Sequence, residues 1–460
     1  MLDLAAAAQA IGARHIGANI TFDRVTTDSR ELRHGDLFIG IRGERFDGQT
    51  FADQALQAGA AAVMVQAGAR IVTPNAPVLE VDDARLALGR LAAFWRGRFA
   101  VPLIAVTGSN GKTTVKEMLA SIFRQVAGES GVLSTIGNLN NDIGMPLTLL
   151  RLNAAHRFAV IEMGMNHLGE IAYLSRLARP DVAVINNAGT AHIGELGSVA
   201  AIARAKGEIF EGLDGNGTAI LNSDDVFADY WRGLVRDRRI IEFGIDNKAA
   251  VSARYELAAA ASLITFRTPR TQFVVTLGIP GAHNVRNALA AVACAIALDI
   301  PEQAMAAGLA SYIGVKSRLQ SRHHRGGALV IDDTYNANPD SMQAAIAVLA
   351  AYPGRKILVM GDMGELGHDA RTMHASIGEF ARRAGVNALF GLGEMSVAAV
   401  QSFGAGARHF SSVPDMTHAL LEQLDQTSTV LVKGSRFMRM ERVVEALGVT
   451  NGESTMKGSA

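Results

Sequence analysis

Cysteine is almost missing from this chain of 460 residues, where Cys294 stands alone. One thiol excludes an internal disulfide and a thiolate metal cluster, and suits a reducing compartment. Excess charge is missing too. Lys+Arg and Asp+Glu each total 44, leaving no formal net charge. That argues against broad electrostatic adhesion to nucleic acid or an anionic membrane, while leaving local basic pockets open. No apolar run approaches the roughly 18–20 residues that span a bilayer. The opening MLDLAAAAQAIGARH lacks the basic region and long apolar core of a secretory signal. These absences together lead us to expect a soluble, cytoplasmic protein without membrane insertion. No short-period repeat is visible.

What the chain has is apolar mass, with 49% hydrophobic and 19% charged residues. That is enough for large cores, and the length suggests several domains. Three blocks follow one another. The first, 1–99, is a small α/β unit: strand candidate Leu37-Phe38-Ile39, helix FADQALQAGA, strands AAVMV and PVLEV, and the closing helix ARLALGRLAAFWRGR. The second, 100–315, alternates short apolar runs (PLIAVTG, FAVIEMG, DVAVINNAG, TAILNSDD) with helical stretches, as a parallel sheet covered on both faces does. SLITFRTPRTQFVVTLGIPG has hairpin character, and helix NVRNALAAVACAIAL ends the block. The third, 316–460, repeats the strand–helix rhythm in GALVIDD, RKILVMGD, NALFGLG and STVLVKGS, the pattern of a doubly wound sheet. The closing NGESTMKGSA reads as a frayed polar tail. In such sheets ligands sit beyond the carboxyl ends of the strands. Here TGSNGKTT, EMGMN, NNAGTAHIG, DDTYNANPDS, GDMGELG and KGS all follow strands.

The sharpest of these is VTGSNGKTT, 106–114. A strict G-x-x-x-x-G-K-[ST] loop needs glycine where Val106 stands. The chemistry of a phosphate loop is nonetheless present. Gly108 and Gly111 let backbone N–H groups turn inward, Lys112 adds a cation, and the following helix start adds partial positive charge. Thr113 is placed to ligate a magnesium ion that bridges phosphates. Gly108, Ser109, Asn110, Gly111, Lys112, Thr113 and Thr114 are therefore the nucleotide candidates.

Glu162, ending strand FAVIE, and His192, after DVAVINN, could complete a metal site. A solvated strand-end charge and a structural histidine are the plain alternatives. Lys206 lies on the apolar stripe of SVAAIARAKGEIFEGL, with Ile202, Ile209 and Leu213 at helical spacing. It either snorkels or is drawn into the site, where a neutral amine can take up carbon dioxide as a carbamate.

At this level of detail the chain resembles the Mur ligases, the ATP-dependent amide-forming ligases of peptidoglycan synthesis. Their loop also lacks the first glycine. TIGNLNNDIGMP, VIEMGMNHLGEI, NNAGTAHIGELGS, DDTYNANPDSM and GDMGELG carry the resemblance over essentially the whole chain. It implies a small N-terminal α/β domain binding a UDP-sugar, a central P-loop ATPase-like parallel sheet and a C-terminal Rossmann-like sheet. It implies Lys112, Glu162, His192 and Lys206 as catalytic, and Thr113, Glu162, His192 and a carbamylated Lys206 around two magnesium ions. Asn138 would lie near the γ-phosphate, and Asn287, Arg318 and Asp333 near adenine and ribose. Ser29 and Arg30 of TTDSR, with Asp47 and Gly48 of RGERFDGQTF, would recognise the nucleotide sugar; turn chemistry is their alternative. Asn336, Asn338 and the GDMGELG turn would receive the amine substrate.

The implied substrates are ATP, UDP-N-acetylmuramoyl-tripeptide and D-alanyl-D-alanine, the implied partner state is a monomer, and the implied chemistry runs through an acyl phosphate. Three other readings remain: a folylpolyglutamate synthetase, the sibling that adds the third amino acid, and a non-catalytic ATP-dependent switch. The last would bind ATP without turnover. The amine that stimulates phosphate release separates the first two from the reading given.

Overall fold

The computed structural model describes residues 1–43 and 46–451. The tail from Gly452 onward, and Glu44 and Arg45 of the RGERFDGQTF segment, lie outside the described residues.

The central sheet has nine strands. Leu103–Thr107 sits between Phe158–Glu162 and Val182–Ile185, all parallel. Val132–Ser134 lies outside the first neighbour, and Thr218–Asn222, Arg239–Gly244 and Val251–Leu257 continue beyond the second. The chain leaves Leu103–Thr107 toward Val132–Ser134 on one side and leaves its neighbour Val182–Ile185 toward Thr218–Asn222 on the other, which makes the carboxyl ends of these two strands the switch point of the sheet, the usual place for a ligand. Every residue of this strand is buried, and alternate ones serve different cores: Leu103 and Ala105 face one, Ile104 and Val106 the other. This two-sided burial is why the strands read as continuous apolar runs. The expected hairpin forms as Ser262–Arg267 and Gln272–Leu277, antiparallel. Here one face meets solvent, and burial alternates along each strand.

The C-terminal sheet is ordered Ala407–Phe410, Ala388–Leu392, Arg355–Gly361, Ser428–Lys433, Leu329–Asp333, with antiparallel Gln320–His323 and Thr450–Asn451 at the edge. Strand Ser428–Lys433 inserts between two earlier ones, bringing KGS and DDTYNAN side by side. The N-terminal sheet has five strands, Arg14–Ile16, Val78–Val81, Ala62–Gln66, Asp36–Ile39 and Arg24–Thr26. Its helix Ala84–Arg96, capped by the Asp83 carboxylate, packs Leu88 and Leu91 into the core of the central sheet. Where it crosses helix Glu170–Ala178, Gly89 faces Tyr173; a Cβ there would lie 2.0 Å from the phenol oxygen.

Four expectations change. FADQALQAGA is helical as expected but only over Ala52–Gln57, and a 3₁₀ turn, Gly48–Phe51, leads into it. SVAAIARAKGEIFEGL is two pieces: α-helix Val199–Gly207, then 3₁₀ turn Glu208–Gly212. Glycine at 207 weakens continuation of the α-helix, and Glu208 is turned to receive the N–H groups of Gly169 and Ala172. Strands Arg14–Ile16 and Arg24–Thr26 were missed because each is three residues long and half polar. Strands Arg239–Gly244 and Gln320–His323 were missed for their charge, since both run along partly exposed positions. No helix among the described residues is long and apolar enough to cross a membrane.

Candidate active site

A cavity of about 1070 Å³ opens where the phosphate loop meets the C-terminal sheet. The loop leaves strand Leu103–Thr107 and enters helix Lys112–Ala127 through Gly111, whose φ is +82°. A side chain at Gly111 would strike Asn287 Oδ1 at 2.2 Å, so position and conformation both require glycine. No side chain caps this helix, which leaves its first N–H groups free for an anion. The loop is braced from the neighbouring strand end. Asn110 N–H donates to Asn187 Oδ1 at 2.8 Å, Asn186 Nδ2 to the Asn110 carbonyl at 2.9 Å, and Gly189 N–H to Ser109 Oγ at 2.8 Å. NNAGT is thus scaffolding for the loop. Asn287 belongs to the same frame: its Oδ1 accepts from Asn186 and its Nδ2 donates to Asn284.

Lys112 folds back, its ammonium donating to the Gly108 carbonyl at 2.7 Å. Burial pushes its pKa down, and nearby Glu162 partly restores it. Thr113 Oγ1 donates to Glu162 Oε2 at 2.8 Å, and Asn140 Nδ2 donates to Oε1 at 2.7 Å. Asn138, by contrast, is exposed at the rim of the cavity, and its neighbour Asn140 is the one that reaches Glu162. Asn140 was not picked out, although it stands two places along in the same GNLNND run.

Lys206 is buried, and its pKa is pushed well down by that burial and by the neighbouring Lys112 cation. His192 sits in the left-handed region, φ 65°, with Nδ1 only 2.7 Å from Glu365 Oε2. Contact with His192, opposed by burial, lowers the Glu365 pKa. The expected set of Glu162, His192 and Lys206 is therefore split: His192 is turned toward the C-terminal sheet. Among the described residues no three His, Cys, Asp or Glu side chains converge on a metal position.

The C-terminal sheet contributes more than the sequence suggested. Arg318 was expected at adenine. Instead its guanidinium lies over the Tyr335 ring, 4.4 Å to the centroid, and donates to Thr113 Oγ1 at 3.0 Å, at the phosphate end. It stands between two residues of positive φ, Ser317 and Leu319, in the connection between the sheets. Asp333 accepts from the buried Lys433 ammonium at 2.6 Å and from Leu319 N–H, while burial raises its pKa. His283, half-buried and near the Lys433 and Arg286 cations, has its pKa pushed down to about 4, chiefly by desolvation, and stays neutral. Asn338 does not stand free for an amine substrate. Its Oδ1 caps helix Pro339–Ala350 and its Nδ2 donates to Asn110 Oδ1 at 2.9 Å, across the two sheets. Asn336 lines the cavity, its carbonyl accepting from Lys433. Asp340 Oδ2 accepts from Thr190 N–H and hydroxyl, and Gly194 N–H donates to the Glu365 carbonyl at 2.8 Å.

The four sugar candidates are not brought to this cavity. Arg30 is tied to Asp28 in a bidentate pair, Nε donating to Oδ1 and Nη2 to Oδ2. Asp47 caps the 3₁₀ turn through Gln49 N–H at 3.0 Å. Gly48 is pressed against the Ile41 backbone, where a Cβ would lie 2.7 Å from the carbonyl oxygen. Ser29 is half-buried in the turn between them. For Asp47 and Gly48 the turn reading describes what they do in the fold.

Comparison with known proteins agrees with this geometry. Residues 21–96 match the model of the Mur ligase family, catalytic domain; 106–295 match the Mur ligase middle domain; and 317–436 match the Mur ligase, glutamate ligase domain. The chain is 43% identical to the UDP-N-acetylmuramoyl-tripeptide–D-alanyl-D-alanine ligase of Escherichia coli, over 94% of this chain and 95% of that protein. The crystal structure of MurF from Acinetobacter baumannii superposes with a TM-score of 0.89 at 38% identity, covering 96% of this chain and 97% of that one. MurF ligase from Thermotoga maritima in complex with ADP gives 0.82 at 29% identity, covering 92% and 96%.

Proposed function

The chain belongs to the Mur ligase family, and we infer that it joins D-alanyl-D-alanine to the terminal carboxylate of UDP-N-acetylmuramoyl-tripeptide. ATP is split to ADP and phosphate, and the product is the pentapeptide precursor of peptidoglycan. The observation that carries this reading is the meeting, in one cavity, of an uncapped phosphate loop, the Thr113–Glu162 pair and a basic wall from the C-terminal sheet.

A carboxylate is a poor acyl donor because its leaving group would be oxide. Transfer of the γ-phosphoryl group to that oxygen makes it a good leaving group, and the amine of D-alanyl-D-alanine then displaces phosphate. Lys112 is placed to leave the Gly108 carbonyl and follow the phosphoryl oxygens. Arg318, already on Thr113, adds a second cation at the same end. Water would hydrolyse an acyl phosphate, and the contacts of Asn338, Asp340 and Glu365 across the two sheets are what close the site against it.

Magnesium fits Thr113 and Glu162. Both offer hard oxygens, and their 2.8 Å separation matches the ~2.9 Å between adjacent ligands of an octahedral ion with arms near 2.1 Å. When bound, the ion would offset charge on the phosphoryl group. We assign a second ion to His192 and a carbamate of Lys206, an assignment that requires His192 to turn away from Glu365. The lowered pKa leaves Lys206 more often neutral; its nitrogen bonds to the carbon of carbon dioxide and releases a proton. Residues 1–99 are assigned to the UDP-sugar, 100–315 to ATP and 316–460 to the amine substrate, in a cytoplasmic monomer.

Phosphate release tests the whole reading. It should require ATP, the muramyl tripeptide and D-alanyl-D-alanine together. Equal release with a diamino acid as the amine and a muramyl dipeptide as the acid would move the chain to the preceding step of the pathway.

A further inference from the structure

Helix Lys112–Ala127 carries a second lysine that the phosphate chemistry leaves unused. Lys116, one turn beyond Lys112, is completely enclosed, with 0% of its surface exposed. Its ammonium donates to Glu117 Oε1 and, at 2.7 Å, to the backbone carbonyl of Thr135. Thr135 is itself buried and directly follows strand Val132–Ser134. Its hydroxyl accepts the backbone N–H of Glu162 at 3.0 Å, and its own N–H donates to the Val160 carbonyl. From Thr135 the chain turns into the GNLNND loop, where Asn140 donates to Glu162 Oε1. Lys116 therefore fastens the one residue from which both supports of Glu162 depart: the Thr135 hydroxyl on its backbone, and the loop that delivers Asn140 to its carboxylate.

A fully buried ammonium, here with a partner carboxylate that is itself partly exposed, is a poor choice where only stability is at stake, because an apolar side chain of the same volume does as well or better. We propose that Lys116 is a positioning residue that, through Thr135, holds the Glu162 carboxylate against Thr113 in the orientation a magnesium–nucleotide complex needs. This rests on the assignment of Glu162 and Thr113 as magnesium ligands.

The test is ADP binding to the full chain by calorimetry, in excess chelator and again across a magnesium titration, for the wild type, Lys116→Met and Thr135→Val. Wild-type ADP affinity should tighten with magnesium. In both variants affinity in chelator should stay within about twofold of wild type, while the magnesium needed for tightening rises about 10- to 100-fold, as when a hydrogen-bond partner of a metal ligand is removed. Lys116→Met should keep the wild-type melting temperature. If both variants keep the wild-type magnesium response and only melt earlier, the lysine is a structural element and the proposal falls. Should Lys116→Met fail to fold, Thr135→Val decides alone: an unchanged magnesium response overturns the proposal. Wild-type ADP binding that ignored magnesium would be a different failure, striking the metal assignment first and this proposal with it.

Discussion

The two walls of the cavity are made in opposite ways. On the central-sheet side the cavity is lined by one short run, Ser109 to Thr114 of the phosphate loop, whose work is done largely by backbone and helix start, with Glu162 and Asn140 set against it. On the C-terminal side they are side chains gathered from distant places: Arg318 from the connection, Asp333 and Lys433 from adjacent strand ends, Glu365 from a third. Backbone groups are fixed by the fold itself. Side chains of this kind are held by one another, as Asp333 is by Lys433, or by the opposite wall, as Arg318 is by Thr113. The first wall should fail all at once when its cation is lost, and the second by degrees.

Four substitutions sharpen or break that contrast. Lys112→Ala should lower kcat/KM at least about 10³-fold, on the order of 4 kcal/mol of transition-state stabilisation, with the melting curve unchanged; near-normal turnover would remove the loop from the chemistry. Lys206→Ala should be almost as severe, yet partly restored by short carboxylic acids that mimic the carbamate oxygens. In the wild type, carbon dioxide depletion should inactivate. Because the folded-state pKa lies below that of a free lysine, reactivation by bicarbonate should proceed at pH values where a surface lysine remains an ammonium. Full activity of Lys206→Ala without additives would exclude the carbamate. Arg318→Met should cost about 10²-fold in kcat, the lower end of the range for removing one transition-state donor; a rise in KM for ATP with kcat untouched would return Arg318 to an adenine role. Asn338→Ala removes one hydrogen bond between the sheets and should cost only about 1 kcal/mol, a severalfold loss measured in kcat. A loss as large as that of Lys112→Ala would show the C-terminal wall to be as brittle as the other.

The same contrast decides what the sequence discloses. The phosphate loop was legible in full, because a backbone device needs its glycines, lysine and threonine in one contiguous run. Strands buried on both faces were legible as apolar runs. Glu365 and Lys433 were not singled out, though both lay in strand-end signatures. Nothing local says that GDMGELG will meet His192, or that Ser428–Lys433 will insert beside Leu329–Asp333. That Arg318 would lie over Tyr335 and reach Thr113 was not legible either, since it stands between two left-handed residues that no local pattern announces. Asp47 and Gly48 show the converse. Their turn chemistry was visible, and it accounts for their places in the fold.

Gly194 and Gly367 come within a methyl group of each other at the edge of the two sheets. A Cβ on Gly194 would stand 2.7 Å from the Gly367 nitrogen and 2.8 Å from the Glu365 carbonyl. An alanine at 194 is thus a doorstop, small enough to spare the nucleotide pocket and rigid enough to keep the gap from shutting. Such a chain would hold its nucleotide yet stall before amide formation, which lets occupancy and commitment be timed apart in a single molecule.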